Sequence, residues 1–168
     1  MRENWHLLGT YRQVLGNRPQ AFAVEGWVTV NDGVVSGRMT DKDTVHRRSI
    51  AAYVEELRRD FGDQDFLSAW HQYALDYPYT FVETHLPAES RLAGTFDGTT
   101  LTFTKTYESD VAMKYGPPGY ETTEFYASSV VVYTGEVDAR AHTFSGRYSF
   151  ADDDSISGDT FTFRLLDD

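Results

Sequence analysis

Most of the chain reads in twos. The segment TLTFTKTY, residues 100 to 107, puts threonine at every even position, with Leu101, Phe103, Lys105 and Tyr107 between. Alternate side chains of a β-strand face opposite ways, so this stretch reads as a strand with one hydroxyl face and one apolar face. Comparable runs predict strands near 5–15, 20–30, 33–40, 78–86, 90–97, 99–108, 124–137, 142–150 and 159–167. Turn chemistry makes several of them neighbours. WVTV and VVSGRM flank Asn-Asp-Gly, RLAGTF and TTLTFTKTY flank Asp-Gly, and HTFSGRYSF and DTFTFRLL flank ADDDSISG.

Antiparallel strands on short turns build up-and-down barrels or sandwiches. A second pattern favours the barrel: apolar, any residue, glycine, Thr or Arg, then a large apolar side chain. It recurs as LLGTY (7–11), VSGRM (35–39), LAGTF (92–96) and FSGRY (144–148), with VYTGEV (132–137) a looser relative. Glycine inside a strand marks a bend or a close backbone approach, and its repetition suits strands coiling at comparable heights around a closing sheet. The fold class expected is therefore all-β, an antiparallel up-and-down barrel of about eight strands, whose interior can hold one small ligand.

Residues 44 to 75 break the pattern. Ile50, Val54, Leu57 and Phe61 repeat at helical spacing, and Gly62 ends that run. DFLSAWHQYAL predicts a second helix with Phe66, Trp70 and Tyr73 on one stripe. The segment is read as a helical insertion into the barrel, plugging one end or packing outside it.

Composition narrows the partners. A formal charge of −11 argues against nucleic acid, whose affinity comes mainly from Lys and Arg neutralising phosphates, and against anionic membranes. The absence of cysteine excludes disulfides, thiolate nucleophiles and Cys-based metal sites. MRENWHLLGTYRQ lacks a secretory h-region, and no apolar run reaches membrane-spanning length, so a cytoplasmic location is expected. Aromatics are plentiful, with 3 Trp, 11 Tyr and 11 Phe, residues that suit surfaces part apolar and part wet.

LAGTF-x-G-x-x-LTFTKTY, VVVYTGEV, FSGRYSF and GDTFTFRL resemble the strand repeats of avidin-like and lipocalin-like barrels, the calycin group. LLGTYRQ resembles their first strand, with Tyr11 where the Gly-x-Trp motif carries tryptophan. The resemblance implies a single barrel domain over residues 1–168, open at one end, with a ligand or substrate inside.

The alternation places Tyr11, Gln13, Phe103, Lys105, Tyr107, Val131, Tyr133, Phe144, Tyr148, Phe150, Phe161 and Phe163 on the inward face. Tyr11, Gln13, Phe103, Lys105, Tyr107, Tyr133, Tyr148 and Phe161 are the candidate ligand-binding residues, an aromatic lining with a few polar heads. The same rings can instead fill the barrel solidly, since burying each is worth about 1.5–3 kcal/mol. Lys105 has three readings. It snorkels at the barrel mouth, it pairs with a carboxylate such as Glu83 or Glu136, or it lies buried and unpaired as an amine of lowered pKa. Under the first, Lys105→Met should weaken an anionic or carbonyl ligand and leave the fold intact.

YPYTFVETH puts Glu83 and His85 on one strand face, an acid–base pair, two metal ligands, or an exposed polar strand end. Catalytic candidates are thus Lys105, Tyr107, Glu83 and His85. ADDDSISGD lacks a calcium loop's third oxygen ligand, because Ile156 stands there, and reads as a solvated hairpin loop. The histidines at 6, 46, 71 and 142 show no zinc-like spacing, and neither metal nor cofactor is expected. KYGPPGYETTEFY, residues 114 to 126, is a candidate lid or a proline-stiffened surface loop.

Three functions remain open: binding of a small apolar or aromatic molecule inside the barrel, a cofactor-free enzyme isomerising or cyclising a small hydrophobic substrate, and an acidic interaction or neutralising partner for another protein.

Overall fold

The computed structural model describes residues 1–15, 18–151 and 158–167, without the side chains of 12–15, 18, 19 and 167. In chain order the elements are β1 (Arg2–Leu15), β2 (Arg18–Asn31), β3 (Val34–Asp41), β4 (Val45–Ser49), α1 (Ile50–Phe61), α2 (Asp65–Asp76), β5 (Phe81–His85), β6 (Glu89–Phe96), β7 (Thr100–Tyr107), β8 (Val111–Tyr115), β9 (Thr122–Tyr126), β10 (Val131–Asp138), β11 (Thr143–Phe150) and β12 (Thr160–Asp167).

Eight strands close an antiparallel barrel in the order β1-β12-β11-β10-β7-β6-β3-β2. The alternation produces it directly, because each barrel strand turns its odd- or even-numbered apolar set inward. Trp5, Leu7, Val28, Val35, Met39, Leu92, Leu101, Phe103, Phe144 and Phe163 meet as one buried core. The β2–β3 turn has Asp32 at φ 50° and Gly33 at φ 82°, the two positive φ values that a tight primed turn requires. After β6, the Asp97 carboxylate accepts the backbone N–H groups of Thr99 and Thr100 at 2.9 and 2.7 Å.

The recurrent glycines explain the closure. A Cβ on Gly94 would lie 1.9 Å from the Thr102 carbonyl oxygen. Gly135 and Gly146 stand opposite each other across β10 and β11, and a Cβ on either would meet the facing backbone at 2.1 Å. The strands approach and coil where no side chain is in the way.

Two insertions leave the barrel from the same end, one between β3 and β6 and the other between β7 and β10. They combine into a second sheet, ordered β4-β5-β8-β9. The helices cover one face of it, through Ile50, Val82 and Met113 with Tyr53, Trp70, Tyr73 and Tyr115. Helix α1 begins where Ser49 Oγ accepts the Ala52 N–H, and ends at Gly62, φ 68°, as its sequence predicts.

This second sheet corrects the expected meander. The strand placed near 78–86 belongs to it as β5, not to the barrel, and the run 124–137 divides into β9 and β10. In α2 the buried residue is Leu67, whereas Phe66 is 45 % exposed and packs edge-on against Phe61. Trp70 and Tyr73 of the expected stripe do meet the sheet, and only Phe66 departs from it. No described helix is long and apolar enough to cross a membrane.

Candidate functional site

The far end of the barrel is solid. Trp5 packs edge-on against Phe96 there, and Phe103, Phe144 and Phe163 are fully buried above it. The end from which the insertions depart holds a cavity of about 630 Å³. Both readings of the aromatic stripe therefore hold, each over part of its length.

The cavity has two unlike walls. Tyr133 on β10, Tyr148 and Phe150 on β11, Phe161 on β12 and Tyr11 on β1 form an aromatic side. Tyr133 is the hub, with Tyr148 at 5.9 Å and Phe161 at 5.1 Å between ring centroids. Lys105 and Tyr107 on β7 form the polar side. The insertions add Leu86, Pro87, Val111, Ser128 and Ser129.

Asp41, the last residue of β3, organises the polar side. One carboxylate oxygen accepts Lys105 Nζ at 2.6 Å and the other accepts the Tyr107 hydroxyl at 2.7 Å. The ammonium also lies 4.6 Å from the centre of the Tyr107 ring. Asp41 is 6 % exposed and Lys105 only 2 %. This corrects the reading of Lys105 as a snorkelling residue at the water boundary. It is a buried lysine paired with a carboxylate, and the partner is neither Glu83 nor Glu136.

Burial pulls Lys105 below the usual lysine range, and the adjacent Asp41 charge opposes that pull. Burial, reinforced by Asp41, pushes Tyr107, Tyr11 and Tyr133 well above the ordinary phenol value. The three phenols are therefore neutral hydroxyls at physiological pH. An ammonium carries three protons, and the hydrogen bond to Asp41 uses one. The cavity wall thus offers donors from Lys105 and an acceptor lone pair on the Tyr107 oxygen.

The other candidates are distributed as follows. Tyr11, Lys105, Tyr107, Tyr133, Tyr148 and Phe161 are brought together around the cavity. Phe103 stacks on Tyr133 at 5.1 Å but sits in the core and not in the lining. The side chain of Gln13 lies outside the described residues. Glu83 and His85 are hydrogen-bonded to each other at 2.6 Å on β5, away from the lining. Most of ADDDSISGD lies outside the described residues, although Asp159 stands at the cavity. The segment 114–126 comprises the end of β8, the turn that follows and β9, and none of its residues lines the cavity.

Asp41 is the residue the sequence reading missed. The signal was present: Val35, Gly37, Met39 and Asp41 continue one alternation, and the expected strand stopped one residue short.

Comparison with family models, with curated proteins and with solved structures finds no match for this chain. The closed eight-stranded antiparallel barrel is compatible with a calycin-like fold.

Proposed function

We propose that this protein binds a small apolar or aromatic molecule inside its barrel, as a single calycin-like unit over residues 1–168 working in the cytoplasm. The observation that carries the reading is the cavity of about 630 Å³, open at one end of the barrel, with an aromatic wall and a polar one. Ligand pockets are typically concave, mostly apolar, and furnished with a few convergent polar groups. Tyr133, Tyr148 and Phe161 supply area at low entropic cost, and Lys105 with Tyr107 supplies orientation.

Native mass spectrometry of the purified protein, together with calorimetric titration of aromatic probes, tests the proposal. A co-purifying molecule, or saturable binding lost when Val131, a lining residue paired with Lys105 across β10 and β7, is enlarged by Val131→Trp, is the expected result. No bound mass and no probe binding would overturn it.

The Asp41–Lys105–Tyr107 network favours one second reading, a cofactor-free isomerisation or cyclisation in the same cavity. Orientation of a bound substrate beside fixed donors is enough to accelerate such a step. Turnover of a bound molecule, lost in Tyr107→Phe with binding retained, distinguishes catalysis from carriage.

A further inference from the structure

Among the described residues, two charged side chains line the cavity, Lys105 within the barrel and Asp159 beside Thr160 at the start of β12. Lys105 is the cation among them, and its charge is already matched by Asp41 at 2.6 Å. An anion placed on Lys105 therefore meets the Asp41 carboxylate immediately behind it. Attraction and repulsion largely cancel, while the cost of taking the anion out of water remains in full. Asp159 opposes an approaching anion as well. An ammonium is repelled by Lys105 at the polar wall, and the attraction of Asp159 acts only at the exposed start of β12, where water screens it. An uncharged acceptor loses little on leaving water and gains a charge-assisted hydrogen bond from a Lys105 proton not used by Asp41.

The aromatic wall, which begins on the neighbouring strand β10 and continues over β11 and β12, sets the rest of the ligand. Tyr133, Tyr148 and Phe161 present rings, whose faces and edges suit another flat π-system.

Building on the cavity-binding reading above, we infer that the ligand is an uncharged aromatic molecule whose carbonyl-type oxygen accepts a hydrogen bond from Lys105, and that the Asp41–Lys105 pair is what excludes carboxylates. The pair acts as a charge filter. Asp41 sets the selectivity without touching the ligand, and Lys105 makes the contact.

Three matched probes test this: naphthyl methyl ketone, naphthoate and naphthylmethylammonium, each titrated near neutral pH by calorimetry. The ketone should bind at least about tenfold more tightly than either ion, the scale of one good hydrogen bond. In Asp41→Asn the bare Lys105 should favour the anion, and naphthoate should gain at least about tenfold relative to the ketone. Naphthoate or the ammonium binding wild type as tightly as the ketone overturns the inference and leaves the cavity reading standing. A ketone preference that Asp41→Asn does not shift also overturns it, because the filter is then not this pair. If none of the probes binds, the cavity reading fails and takes the inference with it. Should Asp41→Asn not fold, the Asp41→Leu/Lys105→Met double variant decides. With no charge on that wall, it should lose the preference for the ketone over unsubstituted naphthalene and still bind the hydrocarbon. A preference that survives there overturns the inference.

Discussion

Asp41 and Lys105 are 64 residues apart in the chain and 2.6 Å apart in the barrel, joining the end of β3 to β7 across the intervening strand β6. Both side chains are almost fully buried. The stability of each charge therefore depends on the other. Lys105→Met leaves a buried carboxylate supported by Tyr107 alone, and should cost about 3–5 kcal/mol. The sequence reading expected that variant to leave the fold intact, and the ion pair reverses the expectation. Asp41→Leu should cost a similar amount. The double variant should recover most of the loss, because a buried pair replaced by apolar groups is often close to neutral. Urea denaturation of the four proteins measures the coupling, and simple additivity of the single losses would show that the pair does not act as a unit.

Tyr148 is half-buried on the aromatic wall, with one ring neighbour in Tyr133 and another in Phe150. Tyr148→Ala should lower the affinity for an aromatic probe about tenfold, corresponding to roughly 1.4 kcal/mol of lost ring contact. Phe103 is the contrast. It lies beneath the cavity with no exposed surface, so Phe103→Ala should lower stability by about 3–5 kcal/mol. Unfolding curves and probe titrations on both variants should separate the two effects. Equal stability losses would show that Tyr148 is as much a part of the core as Phe103.

Gly94 on β6 has no room for a methyl group, since the Thr102 carbonyl on β7 already occupies the space. Gly94→Ala should destabilise the barrel by about 1–3 kcal/mol, as overpacking does. Gly98 in the neighbouring turn meets nothing within 4 Å, although its φ of 99° favours glycine. Gly98→Asn should therefore cost about 1 kcal/mol through backbone strain alone, because this φ lies beyond the left-handed region that asparagine adopts. Thermal melts of the two variants test the distinction between missing space and backbone conformation.

His46 gives stability a pH dependence. It is 4 % exposed and stacked on Phe22, with Nε2 donating to the Asp43 carbonyl and Nδ1 without a hydrogen-bond partner among the described residues. Burial is the main influence lowering its pKa, with the Arg48 charge adding to it; the bond to Asp43 and the Glu56 and Asp43 charges oppose. The folded protein therefore prefers the neutral imidazole. Above the unfolded value of about 6.5 both states are neutral and the contribution of His46 is complete. As pH falls below that value, the unfolded chain takes the proton first, and stability drops until the lowered folded value is passed. His46→Phe keeps the stack and removes the proton site, so its urea midpoint should fall less than wild type's between pH 7.5 and 5.5. Parallel slopes would remove His46 from the account.

The barrel was legible because its information is local. Alternation in TLTFTKTY, paired turns such as Asn31-Asp32-Gly33 and the recurrent glycines each act over a few residues, and together they define a coiling antiparallel sheet. The second sheet was not legible for the opposite reason. Strands β4, β8 and β9 have five residues each, and β8 meets β5 only after the chain has built two barrel strands between them. Of the site, the aromatic wall followed from the same alternation. The partner of Lys105 did not, because nothing in VVSGRMTD marks Asp41 as facing a lysine two barrel strands away. Glu83 and His85 show the converse, a genuine pair that the fold places outside the cavity.

The plugged end bears on timing. With Trp5 and Phe96 sealing one extremity, the barrel is a cul-de-sac, and whatever enters must back out the way it came. Leu86, Pro87, Val111 and Ser128 line the open end; Val111 begins β8 and the other three lie in loops, so all four stand outside the barrel strands. On the proposed binding function, how long a guest stays would be governed at the threshold, and how tightly it is gripped by the walls.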